Sequence, residues 1–374
     1  IGNNVCYTTR IDPSHPEQPA EADPTHVSPT EAVFWSAEHR KGLVPTLLED
    51  LMNQRDEHKA QIKLARKDEQ VEKEEFHDSM QYAVKIMMNS FYGVFASGFY
   101  RFTHKDLGSS ITAWARQNIK TIIQKLEDEG HHVVYSDTDS IFVCSPVPEG
   151  SPSVLKEDDD EATIAAYEGA KQAMIDFGLD IAKQYSRDSA VLEYEKGLSV
   201  FFSHGAKKRY VGQVVYPSEE MLIRGYETQR TDSFEYLTTS MKKTFTYALA
   251  DEGEALVQHA RESVASLKNH SVDARRLILA KSCKGRVQSN GEVDFTKDYA
   301  RPESMAQVRA AMILIERGLG FTPGMKISYV ATDASKRPMQ VHPWIEADDD
   351  GGIPGYDGRF YAERLAAALG RITE

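Results

Sequence analysis

Two aspartates spaced two apart, Asp137 and Asp139, sit in the middle of His131-His132-Val133-Val134-Tyr135-Ser136-Asp137-Thr138-Asp139-Ser140-Ile141-Phe142-Val143-Cys144. Apolar, β-branched and aromatic residues flank a short polar centre, a pattern that predicts a β-hairpin with the acids at or beside its turn. In extended chain this spacing puts both carboxylates on one face, and a turn makes them converge. Converging carboxylates repel unless a proton or a cation lies between them, so a divalent metal is the natural third party. An acidic turn that only closes a hairpin would use the same residues, because Asp and Thr are good turn formers.

The second set of candidate residues is cationic. From Leu43 the pattern turns helical: Val44, Leu48, Leu51, Arg55, Lys59 and Ile62 share one face, with two cations inside the stripe. They either snorkel from a helix edge or wait for an anion. The charged stretch from Arg66 to Glu75 reads as the tip of a helical hairpin. In the second helix Met80, Ala83, Val84, Met87, Met88 and Phe91 are expected to form the apolar face, with Tyr82, Lys85, Asn89 and Tyr92 on the opposite one. Lys, Asn and Tyr one turn apart suit a triphosphate, an adjoining group and a base or sugar edge. Gly93 is expected to end that helix.

Tyr135-Ser136-Asp137-Thr138-Asp139-Ser140 resembles the Tyr-Gly-Asp-Thr-Asp-Ser signature of family B DNA polymerases. Three more segments resemble that family in the right order: Lys85-Ile86-Met87-Met88-Asn89-Ser90-Phe91-Tyr92-Gly93, Glu193-Tyr194-Glu195 and Lys207-Lys208-Arg209-Tyr210. The resemblance implies an α+β fold with an antiparallel palm sheet, a helical-hairpin fingers and a mostly helical thumb. Residues 1–38 would be a palm-side surface segment, 39–97 fingers, 98–205 palm and 206–374 thumb. It also implies template-directed DNA synthesis by two-metal nucleotidyl transfer. Asp137 and Asp139 match its catalytic, metal-binding positions, with Glu195 a secondary carboxylate beside two Mg²⁺ ions. Arg55, Lys59, Lys85 and Asn89 match residues on the incoming nucleotide's phosphates, and Tyr92 one beside the nascent base pair. Lys207, Lys208, Arg209 and Tyr210 match residues that track primer DNA. Primer-template DNA, a deoxynucleoside triphosphate and a sliding clamp are the implied partners. Arg224-Gly225-Tyr226-Glu227 and Arg230-Thr231-Asp232 match a further stretch leading to the thumb, and Gly324-Met325-Lys326-Ile327-Ser328-Tyr329 resembles a thumb strand.

One departure is large. The family's other principal aspartate lies in an upstream Asp-x-x-Ser-Leu-Tyr-Pro-Ser motif, and no such run occurs in these 374 residues. The expectation is therefore a split or truncated polymerase, inactive without an amino-terminal half. The alternative is a non-catalytic DNA-binding or scaffold subunit descended from such an enzyme. An unrelated two-metal nuclease would leave the Lys85 helix and the Lys207 loop without purpose.

Other elements must position these groups. Pro13, Pro16, Pro19, Pro24 and Pro29 make residues 1 to about 38 look irregular and superficial. Ile111, Trp114, Ala115, Ile119, Ile122 and Ile123 predict a helix packed on a sheet, and a further helix runs from about Glu161 to Tyr185. Val191 to Glu195 alternates apolar and acidic residues and reads as a strand with Glu193 and Glu195 on one face, solvated or beside a metal. Phe201 to Tyr216 reads as strand, loop, strand. A helix from Phe360 to about Leu369 closes the chain.

Composition bounds the rest. With 41% hydrophobic and 27% charged residues the chain is globular, and it holds no run long and apolar enough to span a membrane. A cytoplasmic, nucleoid-associated protein is the expectation if the source is prokaryotic. Cys6, Cys144 and Cys283 are too scattered for zinc or a disulfide framework. A net charge of −13 counts against binding DNA, but its distribution matters more than the sum. Acid gathers in Glu157-Asp158-Asp159-Asp160-Glu161 and Asp348-Asp349-Asp350, expected to be solvated loops, and base in Lys207-Lys208-Arg209 and Lys242-Lys243.

Overall fold

The computed structural model describes residues 2–14, 18–20, 22–186, 191–229, 233–345 and 355–373. Arg230-Thr231-Asp232 and Asp348-Asp349-Asp350 lie outside the described residues. The fold is α+β, with long helices and several small antiparallel sheets. It divides into two compact units, residues 1–147 with 173–194, and residues 148–172 with 195–374.

In the first unit β1 (Thr25–Val27) and β2 (Val33–Trp35) form a hairpin, followed by α1 (Leu43–Lys67), α2 (Val71–Ala96), α3 (Lys105–Asp128), β3 (Val133–Asp137) and β4 (Ser140–Val143). The described part of the proline-containing stretch between Pro13 and Pro29 is mostly exposed and, apart from β1, irregular, as expected, but its flanks are not superficial. Val5 and Phe34 pack with Phe95 and Leu107, the last fully buried, so the amino-terminal stretch is part of a core with α2 and α3. Local turn chemistry made this possible: buried Asn4 donates from Nδ2 to the carbonyls of Trp35 and Arg40, both at 2.7 Å, and accepts from the Gly42 N–H at 2.9 Å. Gly42 caps α1, so Asn4 fixes where the helical hairpin starts.

The helical hairpin itself is a narrow, coiled-coil-like pairing. Its less exposed positions alternate in steps of three and four: Val44, Leu48, Leu51, Arg55, His58, Ile62 and Ala65 on α1, and Glu74, His77, Gln81, Val84, Met88, Phe91 and Phe95 on α2. A single antiparallel partner covers only such a stripe. Met80 and Met87, expected on the apolar face, are consequently 38% and 52% exposed. Nor does Gly93 end the helix: α2 continues to Ala96 and is capped by Ser97.

Chain continuity joins the units within α4 (Glu161–Tyr185). The acidic run before it does more than face solvent, because Asp160 Oδ1 accepts the Thr163 N–H at 2.8 Å and closes the open end of the helix. Residues 191–196 are not a strand. They run without ladder partners, although Glu193 and Glu195 still share the exposed side expected of them.

The second unit opens with the antiparallel meander β5 (Gly197–Phe202), β6 (Tyr210–Tyr216) and β7 (Glu220–Arg224). α5 (Glu235–Leu249) and α6 (Gly253–Lys268) follow, then β8 (Leu279–Ser282), the short pair β9 (Arg286–Val287) and β10 (Val293–Asp294), α7 (Ala306–Glu316), β11 (Lys326–Asp333), β12 (Gln340–Pro343) and α8 (Gly358–Thr373). β11 lies between β12 and β8. The core gathers Tyr226, Phe234, Met241, Phe245, Leu267 and Tyr361, which seats α8 on α5 and α6. Among the described residues the sheets are five, small and antiparallel, three of them in this unit.

Candidate functional site

The acidic hairpin forms as its residue pattern requires. Asp137 pairs with Ser140, leaving Thr138 and Asp139 as the two-residue turn. Asp137 is the half-buried last residue of β3, while Thr138 and Asp139 are exposed. Thr138 adopts φ 59°, a left-handed conformation that costs a β-branched residue roughly 1–2 kcal/mol. Local hydrogen bonds hold it there: Asp139 N–H donates to the Asp137 carbonyl at 2.7 Å, Thr138 Oγ1 to Asp137 Oδ1 at 3.0 Å, and Ser140 Oγ to the Asp137 carbonyl at 3.1 Å. Across the strands Ser136 Oγ donates to the Ser140 carbonyl at 3.1 Å. Backbone strain at a turn carrying two carboxylates is a device found where side chains must be aimed for function.

The cationic candidates fall into two kinds. Arg55 lies in the α1–α2 seam, where Nε donates to Gln81 Oε1 at 3.3 Å and Gln81 in turn donates to Asp78 Oδ1 at 3.0 Å. One turn along α1, the His58 and His77 rings meet Nδ1 to Nδ1 at 2.9 Å. Lys59 is half-buried. Lys85 and Asn89, i and i+4 on α2, are exposed, as is Tyr92 at 45%. Among the described residues, neither Lys59, Lys85 nor Asn89 has a side-chain hydrogen bond or ion pair. A helix face that presents Lys, Asn and Tyr without internal partners can receive an anion at no cost in broken contacts.

α3 joins these two groups within the first unit. It packs against α2 and against both strands of the acidic hairpin. His104 caps its start, accepting the Asp106 N–H at 3.2 Å, and Arg10 reaches Asp106 Oδ2 at 2.8 Å, so the amino-terminal segment also braces α3. Neither Asn4 nor Arg10 stood out in the sequence. A buried Asn or Arg far from any helical period leaves no periodic signal.

The basic loop lies in the second unit between β5 and β6. Lys207 and Lys208 are exposed and Arg209 is half-buried. Tyr210 is 7% exposed, paired with Arg224 in the sheet and tilted against Phe201, which makes it a support for the loop and not a surface ring. Lys242 and Lys243 are exposed on α5. Among the described residues no three His, Cys, Asp or Glu side chains come together in a metal-binding group. Asp137 and Asp139 nevertheless suit Mg²⁺, a hard ion that takes one or two carboxylates and completes its shell with substrate oxygens and water. Glu195 falls in the other compact unit.

The three cysteines are unpaired, with Cys6 and Cys283 buried and Cys144 exposed. No helix among the described residues is long and apolar enough to cross a membrane.

Residues 1–336 match the model of DNA polymerase family B. A DNA polymerase of Thermococcus gorgonarius is 28% identical over 338 residues, covering 88% of this chain and 39% of that protein. The DNA polymerase delta catalytic subunit of Caenorhabditis elegans is 26% identical over 405 aligned positions, covering 100% of this chain and 33% of that one. The fold is similar to that of the family B DNA polymerase from the archaeon Pyrobaculum calidifontis, with a TM-score of 0.57 at 23% identity, over 100% of this chain and 43% of the other. This chain therefore spans less than half the length of these relatives.

Proposed function

Because this chain belongs to DNA polymerase family B, we propose that it takes part in template-directed nucleotidyl transfer, contributing the helical fingers, one of the two principal carboxylate motifs and the primer-tracking loop. Residues 39–97 are the fingers in this reading, 98–205 the palm and 206–374 the thumb, with 1–38 a buttress for fingers and palm. The observation that carries it is the pairing, within one compact unit, of a strained turn displaying Asp137 and Asp139 with a helix face on which Lys85 and Asn89 have no partners. The left-handed Thr138 costs the fold stability, and Lys85 and Asn89 are exposed with no side-chain contact among the described residues that would account for them.

Family B DNA polymerases use divalent metal ions. When bound, Mg²⁺ held by Asp137 and Asp139 supplies charge stabilisation of the triphosphate and activation of the primer 3′-hydroxyl. The chain's own residues do the rest. Lys85 and Lys59 place point charges against the phosphates, and Asn89 donates to an adjoining oxygen. Arg55, whose Nε donates to Gln81 Oε1 in the seam, is the further phosphate contact in this reading. Tyr92 packs beside the new base pair, and closing of the α1–α2 hairpin couples correct pairing to site assembly. Lys207, Lys208 and Arg209 hold the primer backbone without reading sequence.

The upstream Asp-x-x-Ser-Leu-Tyr-Pro-Ser carboxylate is not among these residues, so the second half of the metal site comes from elsewhere in this reading. Primer extension tests it. The 374 residues alone should give negligible extension with Mg²⁺, and mixing with an amino-terminal family B segment that carries the upstream motif should give extension that Asp139→Asn abolishes. Robust extension by these residues alone, or a reconstituted activity indifferent to Asp139→Asn, would overturn the proposal. DNA binding that persists without any extension under reconstitution would instead favour the scaffold reading.

A further inference from the structure

The stretch Arg224-Gly225-Tyr226-Glu227 has no part in the chemistry above, yet it is built against the basic loop. β6 and β7 pair with Tyr210 opposite Arg224, so Arg209 and Gly225 leave the ladder side by side. Gly225 has φ +72°, and a Cβ there would stand 1.9 Å from the Lys208 carbonyl oxygen and 3.1 Å from Arg209 Cγ. Only glycine lets the loop backbone rest on β7. Lys208 itself is left-handed at φ 65°, and Ser203 Oγ donates to the Arg209 carbonyl at 3.2 Å, which fixes the loop's exit. Next door, Tyr226 is buried, with its hydroxyl 3.3 Å from His204 Nδ1.

Glu227 follows at the start of a short helical turn, with its side chain 19% exposed and ion-paired to Arg371 of α8. Burial pushes its carboxyl up, but the hydrogen bond from Arg371, a backbone N–H and the charges of Arg371 and Arg209 outweigh burial and leave it below the usual range. The charges of two guanidinium groups, Arg371 and Arg209, therefore act on one ionised carboxylate. Arg371 hydrogen-bonds to it, whereas the Arg209 guanidinium, among the described residues, has no hydrogen bond or ion pair.

We propose that Arg371 is a positioning residue for DNA binding: by occupying Glu227 it keeps Arg209 available to a backbone phosphate, so the seating of α8 sets how firmly the basic loop holds a duplex. The inference rests on the functional reading above. Without Arg371, Arg209 is the remaining described cation whose charge acts on Glu227, and an internal carboxylate would then compete with the phosphate for it.

The test is binding of a fluorescein-labelled primer-template duplex to the full chain by anisotropy, from 50 to 300 mM KCl, for wild type, Arg371→Met, Glu227→Gln and the double variant, each with its melting temperature. Arg371→Met should bind about tenfold more weakly at the lowest salt, and the slope of log K against log[salt] should shrink by about 0.9, the signature of one lost phosphate contact. Glu227→Gln should bind at least as tightly as wild type, and the double variant should recover the wild-type slope. If the ion pair is merely structural, Arg371→Met and Glu227→Gln weaken binding alike and the double variant does not recover, which overturns the proposal; so does an Arg371→Met protein that binds like wild type. Should Arg371→Met fail to fold, Glu227→Gln decides, since a loss of affinity in that variant is incompatible with competition for Arg209. Lys207→Ala with Lys208→Ala separates the two claims: wild-type binding that this pair weakens but Arg371→Met leaves intact refutes the Arg371 role alone, and no salt-dependent duplex binding by wild type refutes the functional reading too.

Discussion

Lys85→Ala should separate ligand binding from folding, and Arg55→Ala should not. Lys85 is exposed and makes no side-chain hydrogen bond or ion pair among the described residues, so its loss costs the fold no more than about 0.5 kcal/mol. A charge-assisted contact to a phosphate is worth about 1.5–3 kcal/mol, which predicts a ten- to hundredfold rise in the dissociation constant for an incoming deoxynucleoside triphosphate at about 1.4 kcal/mol per decade. Arg55 sits in the seam and donates to Gln81 at 3.3 Å. Its truncation should also lower stability by about 1 kcal/mol through the lost hydrogen bond and the packing of its stem. Nucleotide titration in Mg²⁺ with primer-template present, paired with circular-dichroism melts, reads both quantities. The reasoning is refuted if Lys85→Ala leaves nucleotide affinity within twofold of wild type, or if it depresses the melting temperature as much as Arg55→Ala does.

Asn4→Ala should cost about 2–3 kcal/mol in urea denaturation, because it strands the Gly42 N–H and the Trp35 and Arg40 carbonyls in a buried site; a cost below about 0.5 kcal/mol would show that water replaces it. At the acidic turn Thr138→Val keeps a β-branched residue at φ 59° and loses the hydroxyl, so it should melt below Thr138→Gly, by about 1 kcal/mol in stability; the reverse order would remove the case for strain. Burial pushes the His259 imidazole down despite its contact with the Ser240 carbonyl. Its stabilising contribution is thus complete above the unfolded value near 6.5 and is lost as pH falls below it, since the unfolded chain takes up the proton first. Glu227, with its carboxyl held low, adds a further loss only below its ordinary value of 4.5. A melting temperature that declines from pH 7 to 5, with the decline reduced in His259→Gln, would bear this out, and a flat profile would not.

The elements most legible in the sequence were those whose signal is local. α1, α2 and α3 announce themselves by period, the acidic hairpin by β-branched flanks around turn residues, and β6 by the basic loop before it, whereas β5 begins four residues earlier than its expected start at Phe201. Where the sequence misled, a distant partner decided the outcome. Met80 and Met87 look like core until the partner helix proves to be a single α1, which can cover only a narrow stripe of α2. Gly93 looks like a stop, but α2 continues because Phe95 has a core to enter with Leu107 and Phe34. Prolines hid the β1–β2 hairpin, whose stability comes from Asn4 and from packing on α2 and α3. The candidate acids and cations could be named from the sequence, whereas the split of the cations into seam-held Arg55 and unpartnered Lys85 required the register of one helix on the other. Likewise Tyr210 reads as a surface aromatic beside three bases, and only strand pairing with β7 shows that it is buried.

A double-mutant cycle tests the central claim most directly, namely that the acids of the β3–β4 turn and the cations of α2 act on one nucleotide. Triphosphate affinity in Mg²⁺ is measured for wild type, Asp139→Asn, Lys85→Ala and the pair together, with primer-template present. Groups that grip the same metal-bound phosphates should couple by about 1 kcal/mol or more, whereas sites with no shared ligand add to within about 0.5 kcal/mol. Clear coupling is the predicted result; simple additivity of the two losses would contradict the account.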